Sequence, residues 1–228
     1  MSRIPVQYES SVVRVRRDSS GSEDAILSFI NKYANISREA RVHETATVWH
    51  FAQIREYGDI GRRVVIGRGV YVGSGVVVGD DSKIQNGALL YEPAEIGRGV
   101  FIGPNVILTN DRFPRAVKPS MDQKNTDDWT PVGVKVLDGA SIGAGAICVA
   151  PVTIGRWSMV AAGSVVIRDV PDHALVVGNP ARQIGWVGRA GVRLDADPVS
   201  PGLFRCSATD ETYEETDFGL VHVEGRSS

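Results

Sequence analysis

Ile60-Gly61-Arg62-Arg63-Val64-Val65-Ile66-Gly67-Arg68-Gly69-Val70-Tyr71-Val72-Gly73-Ser74-Gly75-Val76-Val77-Val78-Gly79 repeats itself every six residues. An aliphatic residue is followed by Gly, and the residue two before it is small or β-branched: Val64, Val70 and Val76 here, then Ser82, Ala88 and Ala94. Working outward, the aliphatic position is kept without exception from Ile36, Val42, Val48 and Ile54 through Ile84, Leu90, Ile96 and Ile102 to Leu108. A period of six fits neither a helix nor an isolated strand, so the chain folds as a repeat array. Antiparallel hairpins would show period two and Asn-Gly or Asp-Gly turns, which this stretch lacks. Each hexad reads as a short strand plus a corner, with Gly tolerating the corner backbone and the aliphatic residue and its small neighbour filling a narrow interior. Three hexads then close one triangular turn of a parallel β-helix, and turns stack about 4.8 Å apart.

After Leu108 the period breaks for a polar excursion over residues 110–134, then resumes at Val136, Ile142, Cys148, Ile154, Val160 and Val166. The break is not a multiple of six, so it is an insertion thrown from one corner, and such loops on rigid scaffolds usually carry function. The organisation expected is an N-terminal extension over 1–34, the coil domain over 35–168, a segment over 169–193 leaving the coil, and a tail over 194–228 that forms a packed hairpin. Within the extension, 18–24 reads as an exposed polar loop. Ile26, Phe29, Ile30 and Tyr33 have helical spacing, which predicts a short helix over 23–33.

Composition sets outer bounds. A chain of 228 residues, 43% hydrophobic, can bury a full core. A net charge of −2 gives no basic field for nucleic acid, and no long apolar run argues for a membrane span. Arg14, Arg16 and Arg17 are followed by no apolar stretch, so the start does not read as a secretory signal. Cys148 and Cys206 form no CxxC, which points to a reducing cytoplasm and to no zinc site.

Between Ile60 and Leu108 the corner Gly is missing only at Gln85, Tyr91 and Thr109, all just before the excursion. Because one coil is eighteen residues, Gly73, Tyr91 and Thr109 stack in one column, Trp49, Gly67, Gln85 and Gly103 in another, and His50, Arg68, Asn86 and Pro104 in a third. These lapses suggest one groove beside the loop. His50 and Asn86 are two rungs apart, about 9 to 10 Å. His43, His173 and His222 have no spaced partners and read as structural.

The hexads resemble those of the left-handed β-helix acyltransferases, the hexapeptide-repeat family, over about residues 36–185. Val48-Trp49-His50-Phe51-Ala52-Gln53-Ile54, Lys83-Ile84-Gln85-Asn86, the run Leu108-Thr109-Asn110-Asp111-Arg112-Phe113-Pro114-Arg115-Ala116, and residues 176–186 are similar to the nucleotide-sugar N-acetyltransferases. That group acetylates 3-amino sugars linked to UDP or dTDP, and Asp111-Arg112-Phe113 brings the loop nearer its dTDP-3-amino-3,6-dideoxyhexose members than its uronic acid members. The resemblance implies an all-β, left-handed parallel β-helix with a projecting loop and a small C-terminal extension, a homotrimer, and acetyl-CoA as cosubstrate lying between neighbouring coils. It places Asn86 opposite the substrate amine.

A sugar amine is less basic than lysine, so a neutral fraction exists near pH 7 and a strong base is dispensable. Asn86 is then expected to hold the amine through its amide oxygen, with His50 as the alternative base. A corner N–H at Ala144 or Ala162 is the expected oxyanion donor. Arg112 and Arg115 suit a diphosphate, and with Gln85, Tyr91, Glu92, Thr109, Asn110 and Asp111 they make up the substrate-binding set. Arg168 and Arg182 are candidates for the CoA phosphates, with Pro180 packing on adenine. The main rival is an O-acetyltransferase or other small-molecule acetyltransferase, which needs a His base usually borne on the loop, and 110–134 holds none. A γ-class carbonic anhydrase needs three His ligands, and only His43 and His50 lie close together in sequence. A non-catalytic β-helix would show regular Thr columns on a flat face and no excursion.

Overall fold

The computed structural model describes residues 12–16 and 26–223. Two-residue strands at the predicted spacing form three parallel sheets, which wind into a left-handed parallel β-helix. Face I stacks Thr47–Val48, Val65–Ile66, Lys83–Ile84, Phe101–Ile102, Ser141–Ile142 and Met159–Val160. Face II runs from Asn35–Ile36 to Val165–Val166, and face III from Arg41–Val42 to Val152–Ile154. The chain passes from I to II to III and back, so three corners (I/II, II/III and III/I) run the length of the coil.

Register follows the arithmetic. Lys83 pairs with both Val65 and Phe101, eighteen residues away on either side. Across the excursion Glu95 pairs with Lys135, forty apart, so the insertion adds 22 residues to one coil. It leaves after Ile107–Leu108 and ends where Val134–Val136 re-enters face III, with Val134 fully buried in that strand. The aliphatic column and its partners two residues earlier make the core: Ile66, Ile84, Leu90, Ile102, Val64, Ala88 and Val106 show no exposure. Cys148 occupies an aliphatic position, and burial pushes its thiol up to about 12.

The corner glycines have a different cause from the one the sequence suggests. The positive φ lies two residues further on, at Gly69 but equally at Phe51, Arg63 and Asp81. What demands Gly67 is the next coil: a Cβ there would stand 2.7 Å from the backbone nitrogen of Asn86. The first corner residue is small because coils approach closely, whereas the left-handed residue costs little enough to be almost anything polar or aromatic.

Where helical spacing predicts a helix over 23–33, Ile26–Ile30 is a strand; 17–25, with the predicted polar loop, lies outside the described residues. It pairs antiparallel with Val12–Arg16 and parallel with Thr47–Val48, and Phe29 packs on Trp49 with ring centroids 5.1 Å apart. The open end of face I offers unpaired backbone groups, and satisfying them outweighs a weak local preference.

At the other end, Ala174–Gly178 joins face I and turns back as Ala181–Trp186. The tail is a four-stranded antiparallel sheet of Asp195–Ala196, Leu203–Arg205, Thr212–Thr216 and Gly219–Val223, larger than the expected hairpin. Glu211 ties it to the segment leaving the coil. The Tyr213 hydroxyl donates to Glu211 at 2.6 Å and Arg189 bonds it at 2.6 Å, which together pull the Glu211 carboxyl down to about 2. Among the described residues no helix is long and apolar enough to cross a membrane.

Candidate functional site

The predicted site residues separate onto two corners of the coil. The I/II corner carries His50, Arg68, Asn86, Pro104, Ala144 and Ala162 in one column, joined by backbone bonds such as Gly69 N–H to His50 carbonyl, Asn105 N–H to Asn86 carbonyl and Gly163 N–H to Ala144 carbonyl. Gln85 adjoins Asn86 there. The turn holding Pro180 caps the same corner, because Gly178 N–H donates to Ser164 Oγ at 3.2 Å, and Arg182 follows it. The II/III corner carries Tyr91, Glu92, Thr109, the root of the excursion with Asn110, Asp111, Arg112 and Arg115, and Arg168 at its far end. The single groove expected from the corner lapses is thus two edges of one prism, separated by face II.

On the I/II corner, Asn86 is exposed and its Oδ1 accepts the Arg68 N–H at 2.9 Å. One lone pair of the oxygen expected to hold an amine is therefore engaged and the other is open, while Nδ2 donates to nothing among the described residues. Asn86 thus presents donors as well as an acceptor. His50 is half-buried with its ring on the edge of Phe51, 5.2 Å between centroids, and among the described residues no side chain orients it by a hydrogen bond. A general base is normally held by such a bond. Ala144 and Ala162 are exposed, and their N–H groups donate to no group among the described residues.

On the II/III corner, Thr109 has a structural bond: its Oγ1 accepts the Ala150 N–H at 3.0 Å. Tyr91 packs on Tyr71 at 5.2 Å, and the Tyr71 hydroxyl is raised by burial and by the nearby Glu92 charge. Glu92 Oε2 is buried above Gly73 without a hydrogen-bond partner. Asp111 Oδ1 accepts the Phe113 N–H at 2.7 Å, shaping the loop, and Arg112 lies over the Phe113 ring. Arg115 instead borders a cavity of about 390 Å³ with Lys124 and Trp129, two residues that sequence reading passed over. Their signal was an aromatic and a cation near each other in an otherwise polar loop.

The histidines read as structural have local partners: His43 Nδ1 with Thr45 Oγ1 at 3.0 Å, and His173 Nδ1 with the Val187 carbonyl at 2.8 Å. Burial lowers the pKa of His173. His222 packs on Tyr213. Among the described residues no three His, Cys, Asp or Glu side chains converge on a metal site.

The repeat is matched by the family described as Bacterial transferase hexapeptide (six repeats) over residues 59–91 and 76–110, and by the Hexapeptide repeat of succinyl-transferase over 133–168. Among curated proteins, a dTDP-3-amino-3,6-dideoxy-alpha-D-galactopyranose 3-N-acetyltransferase from Aneurinibacillus thermoaerophilus is 54% identical over 59 residues, 26% of this chain and 31% of that one. Serine acetyltransferase 4 from Arabidopsis thaliana is 47% identical over 64 residues, 28% of this chain and 17% of that one. The chain thus spans a third or less of these two relatives. Among solved structures, a hexapeptide-repeat acetyltransferase from Vibrio cholerae O1 biovar eltor, complexed with acetyl coenzyme A, is 25% identical with a TM-score of 0.45, covering 57% of this chain and 70% of that one. The repeat matches fall on the coils whose register and corner packing are described above, and over those coils the chain carries the repeat of the bacterial transferase hexapeptide family.

Proposed function

We propose that this chain is an acetyl-CoA-dependent N-acetyltransferase acting on the amino group of a nucleotide-linked amino sugar, at C3 of a dTDP- or UDP-sugar. The observation that carries this is the I/II corner, where Asn86 stands two rungs, about 10 Å, from the open N–H group of Ala144 and three rungs, about 14 Å, from that of Ala162. A thioester lying along this edge has backbone donors for its developing oxyanion. The amine nitrogen forms the new C–N bond as the C–S bond breaks, and the departing thiolate takes the amine proton. No side-chain base is required, which suits the unoriented His50. Asn86, donating from Nδ2, positions an oxygen of the sugar or of the acyl group. Pro180 and Arg182, at the end of the same edge, suit the adenine and phosphates of CoA, and Arg168 lies one corner away.

The same reading includes a homotrimer. The outward side chains of face II are Asn35, Gln53, Tyr71, Leu89, Ile107, Ile147 and Val165, whereas face III presents Arg41, Asp59, Val77, Glu95, Lys135 and Thr153. The apolar face is the one to bury. Three copies with face II toward a common axis bring the I/II corner of one copy against the II/III corner and excursion of the next, uniting the two half-sites in a heterologous contact. Cys148 and Cys206, both buried and unpaired, suit a cytoplasmic enzyme.

The relative from Aneurinibacillus thermoaerophilus favours the amino-sugar acceptor, and the serine acetyltransferase favours a second reading, O-acetylation. Thiol release from acetyl-CoA, measured against UDP- and dTDP-linked 3-amino and 4-amino sugars and against serine, separates them. Turnover on serine or other hydroxylated acceptors alone overturns the proposal.

A further inference from the structure

The cavity in the excursion lies outside the coil, and the mechanism above makes no use of it. It is walled by Asp111, Arg115, Lys124, Asn125, Thr126 and Trp129, and its volume of about 390 Å³ is within the range of small-molecule sites. Among the described residues Arg115 donates only to the Pro114 carbonyl, at 2.9 Å, and Lys124 hydrogen-bonds no carboxylate, although its charge helps to lower the Asp128 carboxyl. The nearby acids are already occupied: Asp128 takes Lys118 at 2.7 Å and the Asn125 N–H at 2.9 Å, and Asp111 takes the Phe113 N–H. Trp129 and Lys124 are both half-buried, so an aromatic face and an ammonium are held in place beside the cavity.

Two cations, an indole and polar side chains form a set suited to one kind of molecule. A guanidinium and an ammonium grip adjacent phosphates, an indole stacks on a planar base, and Asn125 and Thr126 supply hydrogen bonds to its edge. The geometry points to the excursion cavity as a nucleoside diphosphate site, holding the nucleotide of the acceptor with Trp129 on the base and Arg115 and Lys124 on the diphosphate. Arg112, turned onto Phe113, has no part in it. This rests on the nucleotide-sugar reading above and deepens it. CoA also carries a nucleoside diphosphate, but its candidate residues other than Arg168 line the I/II corner, and Arg168 lies at the far end of II/III, two coils beyond Thr109 where the excursion leaves. The loop is then the element that selects a nucleotide-bearing acceptor.

Calorimetric titration of the full chain with dTDP, UDP, inorganic pyrophosphate and CoA tests this, using wild type, Lys124→Gln, Arg115→Gln and Trp129→Ala. Each variant is expected to weaken dTDP or UDP binding at least tenfold and leave CoA binding unchanged. Pyrophosphate binding should fall for the two charge variants and not for Trp129→Ala, and Trp129→Phe should restore most of the nucleotide affinity. Weakened CoA binding with nucleotide binding intact assigns the cavity to CoA and overturns the inference. Variants that bind dTDP and UDP like wild type overturn it too, and wild-type turnover on amino sugars then shows that the N-acetyltransferase reading survives. A wild type that turns over only non-nucleotide acceptors, and binds neither dTDP nor UDP, removes both.

Discussion

At the III/I corner the second residue of each turn alternates in charge along the axis: Arg62, Asp80, Arg98, Asp138, Arg156 and Asp172. Each Asp folds back to cap the turn before it, accepting the Arg62, Arg98 and Arg156 N–H groups at 2.7, 2.8 and 2.7 Å. At the I/II corner the equivalent residues are His50, Arg68, Asn86, Pro104, Ala144 and Ala162, and only Asn86 caps. The backbone turn is the same in both. N–H groups at Asp80 and Asp138 also lack caps, but each stands beside a carboxylate that repels an anion, whereas those at Ala144 and Ala162 stand beside a methyl group. One corner is closed by charge along its length, and the other is open at one end. The second corner residue alone therefore decides whether a turn is scaffold or a place for a ligand.

The most direct way to break this comparison is to give the open corner the residue of the closed one. Ala162→Asp sets a carboxylate where Asp80 stands over Arg62, capping the Ala144 N–H, and Gly143 beneath leaves room for it as Gly61 does for Asp80. The variant should fold with a melting temperature no lower than wild type. Its turnover should fall a hundredfold or more, since losing one oxyanion donor costs about 10²- to 10³-fold. Ala162→Asn caps without charge and separates the two effects. Undiminished turnover in both variants would show that the open amides serve no substrate.

Asn86 is the one capping residue inside the open corner, so it tests which role dominates. Asn86→Ala should lower turnover at least tenfold while acetyl-CoA binding, read by calorimetry, stays intact. It also strips the Arg68 cap, which costs about 1 kcal/mol of stability. Asn86→Asp keeps the cap and loses the Nδ2 donors, so a purely structural Asn86 predicts full activity in Asp and loss only in Ala. His50→Ala should leave turnover unchanged. If it abolishes activity in a folded protein, His50 is the base and direct attack without one is wrong.

The unbroken hexads made the three faces, the core column and the eighteen-residue register readable before any coordinates, because a coil of fixed length leaves no freedom in which residues stack. The same arithmetic already separated the corners: Asn86 and Tyr91 are five residues apart, and five residues of extended chain cross a whole face. Grouping the lapses by chain proximity hid this. The capping role of Asp80, Asp138 and Asp172 was also present as a charge alternation in one column, obscured by the 22-residue insertion that spaces Asp138 forty residues from Arg98. The strand at Ile26–Ile30 was within reach of that arithmetic too, since Ile30 stands six residues before Ile36 and pairs with Val48 eighteen residues on, but helical spacing over 26–33 masked it. The cavity at Arg115, Lys124 and Trp129 was not readable, because the excursion has no period to tell which of its residues meet.

On the closed corner the effects should be modest and confined to stability. Asp138→Ala removes the cap on the Arg98 N–H from an exposed turn, and should cost about 1 kcal/mol, or roughly 2 to 4 °C in melting temperature, with turnover unchanged. A loss of activity there would mean that both corners serve the reaction, and the contrast drawn between them would fail.

The smallest effect belongs to the ion pair beside that rail. Arg63 grips Asp81 through two bonds, 2.6 and 2.8 Å, but both side chains are about half exposed, so water screens the pair. The bond to Arg63 lowers the Asp81 carboxyl below its ordinary value. A carboxyl depressed in the folded state adds stability that is fully present above its unfolded value of 3.8 and is lost as pH falls through the lowered one. Arg63→Ala should therefore lower the melting temperature by about one degree at neutral pH, and the gap from wild type should close in acid once Asp81 is protonated. A gap of several degrees, or one unchanged at low pH, would show that the charged rail holds the coil together instead of merely closing its corner.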